Sequence, residues 1–352
     1  MACRACPTVR GDWRESRTYG LCKTATMKIA VIHTGARSSV IRQTPNTREW
    51  EAYLDNALAI TTALRDLGHD AVQLSDGLAL IESLCELRPD VAWVCSGGIQ
   101  GRDPATHLPA LLEMLGVDYI GSAPLAAGLA DNKAKAKAFL RGFGILTPDF
   151  SVVQAGAVLL SSTTSDYPVI VKPVCGMCSC GLFLANSFVE LQHAVATLHE
   201  RYRNDVLVEK FVSGTDVTVS VVQIAGGMPR SFPPLQRFFG DRDDPAFAHF
   251  ELAHPNSQLR EGRSVPAVLT EIQRAALSRV SESAFSALGL RHFARLDFRM
   301  SDSSIWYLEA NHKPDLTPTS LFALSAKLDG LDYHNLIHHI LTTASETSEQ
   351  PE

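Results

Sequence analysis

Three oxygen-bearing side chains, Asp297, Glu309 and Asn311, lie in two runs that otherwise have the apolar character of buried strands. If residues 294–300 and 305–310 pair as an antiparallel hairpin with a three-residue turn, Asp297 lies opposite Glu309, and Asn311 lies on the same face. Either this face is simply polar, or a hard cation lies between the carboxylates and relieves their repulsion. The second alternative predicts a Mg2+ site. It also predicts a nucleotide, because Mg2+ takes few protein carboxylates and completes its shell with water and phosphate oxygens.

Lysine residues beside apolar runs indicate an anion-binding function. Lys172 ends the run YPVIVKP, where a half-buried ammonium needs an anionic partner. The small residues that follow, VCGMCSCG, allow backbone N–H groups to surround a phosphate. Lys133 and Lys137 lie four residues apart in a predicted helix and share one face, which either binds phosphate or is exposed to solvent.

The run VLVEKFVSGTDVTV reads as two strands with a polar connection. The backbone of residues 209–212 is suited to an adenine ring, and the carboxylate of Asp216 is suited to ribose hydroxyls. The alternative is an ordinary hairpin with a Ser-Gly turn. With the lysines and the candidate metal ligands, the first interpretation predicts a nucleotide site.

The chain as a whole has the composition of a folded protein. Its 352 residues are 45% hydrophobic and 20% charged, and a chain of this length accommodates two or three domains. The formal net charge of -6 does not favour a nucleic-acid partner, so the expected partners are small molecules. No run reaches the roughly 18 to 20 apolar residues that span a bilayer, which predicts a soluble protein without a membrane partner.

The eight cysteines are not arranged as a disulfide framework. They form two clusters and two single positions, and no secretory segment precedes them, so we interpret them as reduced thiols of a cytoplasmic protein. A zinc site at Cys175, Cys178 and Cys180 is the alternative. It requires a fourth ligand, and the spacing does not match paired C-x-x-C knuckles.

Apolar patterning divides the chain into a tail and three predicted domains. Residues 1–26 lack hydrophobic periodicity and are interpreted as a disordered tail or a misassigned start. Residues 27–130 alternate strands and helices, which predicts a doubly wound, Rossmann-like α/β domain. Residues 131–207 and 208–345 have an α+β pattern with antiparallel strands. Within the latter, the polar, Pro-bearing loop 239–266 is long enough to form a lid.

Four segments, taken in order, resemble the ATP-grasp enzymes and specifically the D-alanine–D-alanine ligase family. They are DNKAKAKAFLRGFGILTP, YPVIVKPVCGMCSCG, VLVEKFVSGTDVTV and the paired runs ARLDFR and YLEANHKPDLTPTSLF. The resemblance covers residues 27–341. It implies an ATP-grasp fold that combines α/β and α+β domains, with ATP between the central and C-terminal domains. It also suggests a homodimer through the N-terminal domain.

The resemblance further implies an ADP-forming carboxylate–amine ligase. The γ-phosphate of ATP activates one amino acid as an acyl phosphate, and the amine of a second amino acid attacks it through a tetrahedral intermediate. The implied cofactors are ATP and two Mg2+ ions, with Mn2+ as an alternative metal. The implied partners are small amino-acid substrates.

Individual residues acquire roles by the same resemblance. Asp297, Glu309 and Asn311 would hold the metal ions, and Arg295 would stabilise the transferring phosphoryl group and the oxyanion. The matched ATP contacts are Lys133 and Lys172 for the phosphates, Glu209, Lys210 and Val212 for the adenine, and Asp216 for the ribose. The remaining matches are Ser179 in the phosphate loop, Ser320 and Leu321 at the second substrate's carboxylate, and Glu49, with Glu51 as its rival, at the first amino group.

Several positions depart from the family pattern near the expected substrates. The family's NTxPG reads NHKPD at residues 311–315, so a backbone N–H that faces the oxyanion belongs here to an aspartate. The family's HGxxGEDG is replaced by SGGIQGRDP, and the Ser-Ser pair of its phosphate loop by Cys178-Ser179. In the predicted lid, the family's Lys-Tyr pair aligns with Ala253 and His254. A histidine there resembles family members that make an ester with a hydroxy acid.

These observations leave three functional hypotheses. The main one is a ligase that makes D-alanyl-D-alanine for peptidoglycan, and the alternative is a ligase of a specialised pathway that joins other amino acids or a hydroxy acid. The third is a nucleotide-binding protein that has lost ligation, because Asp315 and Ala253 alter the acyl-transfer end. The complete set of candidate metal ligands, together with Arg295, favours an enzyme.

Overall fold

The computed structural model describes residues 25–35, 51–159, 166–176, 181–238, 263–301 and 304–348. The predicted site residues Glu49, Ser179 and His254 lie outside these ranges, as do most of the predicted lid and residues 1–24 of the tail. Among the described residues, no helix combines the length and the apolar composition needed to cross a membrane.

The first part of the chain forms a parallel sheet in the strand order β2-β1-β3-β4. Its strands are β1 (Lys28–His33), β2 (Asp70–Ser75), β3 (Val91–Val94) and β4 (Tyr119–Ile120). The intervening helices are α1 (Glu51–Asp66), α2 (Leu80–Leu87) and α3 (His107–Leu115). The chain turns after α1 at Gly68, whose φ of +91° favours a residue without a Cβ. This alternation is the predicted doubly wound α/β pattern.

The middle of the chain forms an antiparallel sheet in the order β5-β8-β6-β7. Its strands are β5 (Phe150–Val153), β6 (Val169–Pro173), β7 (Phe183–Ala185) and β8 (Val206–Lys210). Helices α4 (Pro124–Asp131) and α5 (Lys133–Arg141) precede this sheet, and α6 (Phe188–Tyr202) packs on it. The predicted boundary after residue 207 falls within β8, which pairs with β5 and β6 over its length.

The last part of the chain forms a larger antiparallel sheet in the order β12-β11-β9-β13-β14, with β10 also paired to β9. Its strands are β9 (Thr215–Gln223), β10 (Pro229–Ser231), β11 (Leu235–Phe238), β12 (Arg263–Pro266), β13 (Phe293–Met300) and β14 (Ile305–Asn311). The later helices are α7 (Glu271–Ala287), α8 (Leu321–Leu328) and α9 (Tyr333–Ser348). Residues 263–266, predicted as the end of the lid loop, are therefore a strand. The Ser-Gly hairpin alternative is wrong as well, because β8 and β9 belong to different sheets.

The first and last sheets share one apolar core. Trp93 of β3 lies 6.2 Å from Phe293 of β13 between ring centroids, and Phe293 meets Phe322 of α8 edge to face at 6.0 Å. A polar contact reinforces this core, since the backbone N–H of Leu316 donates to Oδ1 of Asn56 at 2.9 Å. The carboxyl-end edge of the parallel sheet is thereby held beside the C-terminal hairpin.

His292 makes a second polar connection between these two parts. Its Nδ1 accepts a hydrogen bond from the backbone N–H of Gly121 at 3.0 Å, and its own backbone has a left-handed φ of +64°. Burial, with a smaller effect of Arg291, lowers the pKa of His292 from 6.5 to about 3. The unfolded chain binds this proton between those two pH values and the folded chain does not, so stability decreases as pH falls through that window.

Replacing His292 by Asn is expected to remove this sensitivity to acid, because Asn tolerates the left-handed backbone and does not titrate. Between about pH 7 and about pH 5, the wild type should lose roughly 2 kcal/mol more of its free energy of unfolding than the variant does. Urea unfolding at the two pH values measures the difference. Equal losses in the two proteins would mean that His292 is not held neutral by the fold.

Candidate active site

The register of the C-terminal hairpin brings the predicted metal ligands together. Asp297 on β13 pairs with Glu309 on β14, and Arg295 pairs with Asn311, so the predicted opposition of Asp297 and Glu309 is confirmed. The predicted three-residue turn is wrong, because Met300 pairs with Ile305 and the turn is tighter by one residue.

A bulge compensates for the tighter turn. The register shifts between Asp297 and Phe298, so that Phe298 pairs with Tyr307 while Asp297 pairs with Glu309. Leu308 is the extra residue on β14. Without it, Asp297 would face Leu308, and the side chain of Glu309 would point to the opposite face of the sheet. The bulge therefore places both carboxylates on one face.

Donors from the protein surround the carboxylate of Asp297. Arg295 donates to it twice, from Nε to Oδ1 at 3.1 Å and from the guanidinium to Oδ2 at 3.0 Å. Thr218 donates to Oδ1 at 2.6 Å, and the amide of Asn311 donates to Oδ2 at 3.2 Å. Burial raises the pKa of Asp297, but the charges of Arg295 and Arg237 and the hydrogen bonds from Arg295 and Thr218 outweigh it, so the pKa lies below its usual value. Asp297 is thus an anion whose charge Arg295 balances within the fold.

Glu309 and Lys133 form an ion pair in the lining of a cavity. The two charged groups lie 3.4 Å apart, and Nζ of Lys133 also donates to the backbone carbonyl of Gly176 at 2.7 Å. Lys133 is the first residue of α5, whose N-terminus Asn132 caps by accepting from the N–H of Lys135. The cavity opens to solvent, and its empty space is about 370 Å³ when the solvent at its mouth is included. Its lining includes Asp131, Lys133, Gly176, Glu309, Asn311, His312 and Lys313.

A second buried cluster joins the central sheet to α5 and the hairpin. Glu209 is 2% exposed and lies between Lys172, at 2.6 Å, and Lys137, at 3.1 Å. Burial acts to raise the pKa of Glu209, but the two lysines lower it overall. Complete burial lowers the pKa of Lys137 to about 8, although Glu209 opposes the change. Lys137 also donates to the carbonyl of Tyr307 in β14 at 3.1 Å.

These contacts decide the question left open for the α5 lysines. The solvent-exposed alternative is wrong for Lys133 and Lys137, which are both buried, whereas Lys135 is exposed. The two buried lysines contact different carboxylates, Glu309 and Glu209 respectively. The anionic partner that Lys172 requires is Glu209, which the sequence had placed only at the adenine.

Asp216 and Val212 both accept hydrogen bonds from Arg299, a residue to which the sequence patterns assigned no role. Arg299 donates from its guanidinium to Asp216 at 2.7 Å and from Nε to the carbonyl of Val212 at 2.9 Å. Lys210 is exposed and forms an ion pair with Asp166 at 3.0 Å. The signal for Arg299 was available, because Arg295, Asp297 and Arg299 alternate along one strand and share a face.

The residues matched to the second substrate's carboxylate lie at the start of α8. Ser320 is the N-cap, and its hydroxyl accepts from the N–H of Ala323 at 3.2 Å. Leu321 is the first residue of the helix. The N-terminal turn of a helix presents backbone N–H groups and a partial positive charge, which are suited to a carboxylate.

The donor atoms on the hairpin have the chemistry of a magnesium site. Glu309 and Asn311 line the cavity with a carboxylate and an amide, and the carboxylate of Asp297 lies across the hairpin from Glu309. Mg2+ prefers such hard oxygen donors and completes its shell with water and phosphate, so these residues fit the ion. The described residues include no group of three or more His, Cys, Asp or Glu side chains that could hold a metal by themselves. Two of the three cysteines of the zinc alternative, Cys178 and Cys180, lie outside the described ranges, and Cys175 is partly buried.

Known proteins resemble this chain in sequence and in fold. The family model described as D-ala D-ala ligase C-terminus matches residues 139–342. The D-alanine–D-alanine ligase of Syntrophotalea carbinolica is 32% identical, with 84% of this chain and 92% of that protein covered. The uncharacterized protein y4sG of Sinorhizobium fredii is 31% identical, with 90% and 97% covered. The crystal structure of the D-alanine–D-alanine ligase from Bacillus anthracis complexed with ATP superposes with a TM-score of 0.73 at 22% identity and covers 92% of this chain and 100% of that chain.

The fold is therefore that of an ATP-grasp enzyme, and the predicted combination of α/β and α+β structure is confirmed. The chain belongs to the D-alanine–D-alanine ligase family. It is an ATP-dependent, ADP-forming ligase that makes carbon–nitrogen bonds, as the sequence predicted.

Proposed function

We propose that this ligase joins two amino acids by a peptide bond through an acyl phosphate, with D-alanine or a closely related amino acid as the carboxylate that is activated. The observation that carries the proposal is the single cavity shared by Lys133, Glu309 and Asn311, with Asp297 directly across the hairpin from Glu309. This arrangement combines a cation for phosphate with oxygen donors for a metal ion. It is the minimum needed to bind and orient a nucleoside triphosphate for phosphoryl transfer.

Asp297, Glu309 and Asn311 would hold two Mg2+ ions, with Mn2+ as the alternative. When bound, these ions neutralise the phosphate oxygens and polarise the transferring phosphoryl group. Asp297 is already anionic, and its carboxylate would exchange some of its hydrogen bonds from Arg295, Thr218 and Asn311 for a metal ion. Glu309 exchanges its ion pair with Lys133 for the incoming ligand.

The nucleotide would lie between the central sheet and the C-terminal hairpin. Lys133 and Lys172 would contact the phosphates, and Glu209, Lys210 and Val212 would contact the adenine. Asp216 would accept from the ribose hydroxyls, with Arg299 orienting its carboxylate. Ser179, outside the described ranges, is the proposed contact from the phosphate loop. Lys137 is a positioning residue, because it holds Glu209 and the backbone of β14 together.

The reaction requires only ATP and the two amino-acid substrates. A carboxylate oxygen of the first substrate takes the γ-phosphoryl group, and ADP leaves. The amine of the second substrate then attacks the acyl carbon, the bond from that carbon to the phosphate oxygen breaks, and the amine proton is released. Arg295, held in place by Asp297, presents positive charge where the phosphoryl group and the tetrahedral oxyanion develop.

Residues around the proposed nucleotide and metal site would bind the two amino-acid substrates. Ser320 and Leu321 would bind the carboxylate of the second amino acid at the N-terminus of α8. Glu49 would bind the amino group of the first, and His254 would lie in a lid over both. We also propose that the three sheets correspond to three domains. We further propose that the chain forms a homodimer, and sedimentation would test this oligomeric state.

The assignment is tested by measuring phosphate release with Mg-ATP and a panel of D- and L-amino acids, singly and in pairs, with products identified by mass. Release with D-alanine alone and a dipeptide product is the expected outcome for a D-alanine–D-alanine ligase. Release only with another pair would identify a ligase of a specialised pathway, and an ester product would require a hydroxy-acid acceptor. Phosphate release without any coupled product would contradict the proposal.

A further inference from the structure

The segment that follows the metal hairpin leads directly to the parallel sheet. Asn311 ends β14, and the N–H of Leu316 donates to Asn56 of α1 at 2.9 Å. Lys313 belongs to the short segment between these two anchors. This segment connects the hairpin to the helix that follows β1, beside the carboxyl-end edge of the parallel strands, where α/β sheets bind their ligands.

The side chain of Lys313 is directed by its neighbour. Its Nζ lies 3.1 Å from Nε2 of His312, which is 5% exposed and therefore fixed by packing. An imidazole that accepts this hydrogen bond positions the ammonium without neutralising its charge. Both residues line the cavity that Lys133, Glu309 and Asn311 also line.

The roles proposed above do not use Lys313. Lys133 and Lys172 serve the phosphates, one substrate carboxylate is activated, and the other is bound at Ser320 and Leu321. A further lysine at the wall of the cavity in which the phosphoryl group would be transferred to a substrate favours a substrate with an additional negative charge. Asp131 lines the cavity too, so the position of Lys313, and not the net charge of the wall, carries the argument.

We propose that Lys313 is a specificity-determining residue that binds a carboxylate on the side chain of an amino-acid substrate. The substrate pair of this enzyme would then include an acidic amino acid. This inference rests on the proposed ligase function, and it narrows the substrate class of the same site. Lys313 binds the substrate through a charge-assisted hydrogen bond and takes no part in bond making.

The experiment compares substrate pairs in the full-length wild type and in three variants. Phosphate release is measured at saturating Mg-ATP with D-alanine paired either with itself or with D- or L-aspartate or glutamate. The ratio of kcat/KM for the acidic pair to that for the neutral pair is the readout. The variants are Lys313→Met, Lys313→Arg and, as a matched loss of charge on the exposed end of α8, Lys327→Met.

We expect the wild type to favour an acidic pair, and Lys313→Met to lower the ratio about tenfold or more through KM. Lys313→Arg should retain most of the preference, and Lys327→Met should leave the ratio unchanged. A wild type that prefers the neutral pair, or a ratio that Lys313→Met does not alter, overturns the inference while leaving the ligase function intact. Absence of turnover with every pair would instead count against the proposed function.

Discussion

Replacing Asp297 by Asn is expected to lower kcat by about a thousandfold or more, because it removes a negative charge from the proposed metal site and the anionic partner of Arg295. Glu309→Gln should have a similar effect from the opposite strand. The fold should be retained, since both substitutions keep the size of the side chain and Glu309 lines the open cavity. Phosphate release at saturating Mg-ATP measures kcat, and circular dichroism measures the fold.

Glu86→Gln is the matched control for these two variants, because Glu86 is an exposed carboxylate on α2. It should turn over at the wild-type rate. Wild-type rates in both Asp297→Asn and Glu309→Gln would remove the metal assignment. A kcat that falls equally in Glu86→Gln would show that the loss of charge acts on the protein as a whole.

Lys133→Met should give the second large effect. Nζ of Lys133 faces Glu309 and the carbonyl of Gly176 in the cavity, so its loss removes a positive charge from the proposed phosphate site. We expect kcat/KM for ATP to fall by about a hundredfold to a thousandfold, as for other fixed groups that stabilise developing charge. The measurement is initial rates over a range of ATP concentrations.

Lys135→Met provides a control on the same helix. Lys135 lies two residues away and is exposed, whereas Lys133 is buried to 7% exposure. The substitution makes the same change in charge and in helix propensity, and kcat/KM should stay within about twofold of the wild type. Equal losses in the two variants would mean that α5, and not the Lys133 ammonium, is responsible.

The sequence predicted the central pair of the site for a reason that is only partly right. Counting residues across the hairpin placed Asp297 opposite Glu309, and the structure agrees. The count assumed one more residue in the turn than is present, and the bulge at Leu308 restores the register. A bulge shifts the pairing of two strands by one residue, and the alternation of apolar residues does not by itself show where such a shift occurs.

Buried charge was harder to predict than strand pairing. A lysine in the run KAKAKAF reads as exposed, yet Lys137 is fully buried because Glu209 and the carbonyl of Tyr307 come from distant parts of the chain. Helix periodicity identifies which residues share a face, but it does not identify what packs against that face. The partner of Lys172 was missed for the same reason.

The limits of the strands depend on long-range pairing, whereas the existence of most helices and strands follows from local sequence patterns. The helices and most strands follow from periodicity and from glycine stops such as Gly68. By contrast, β8 continues to Lys210 because it pairs with β5 and β6, and residues 263–266 form a strand because β11 lies beside them. Short edge strands gain their stability from neighbours that a single run of sequence does not contain.

The measurement that tests the central claim most directly follows an oxygen atom. The enzyme is supplied with Mg-ATP and an amino-acid pair whose first member carries oxygen-18 in its carboxylate, and the phosphate released is examined by mass. Activation of the carboxylate as an acyl phosphate predicts one labelled oxygen in each phosphate, because the bond from the acyl carbon to that oxygen breaks when the amine attacks. Phosphate free of the label, at the rate at which the peptide forms, would contradict the account.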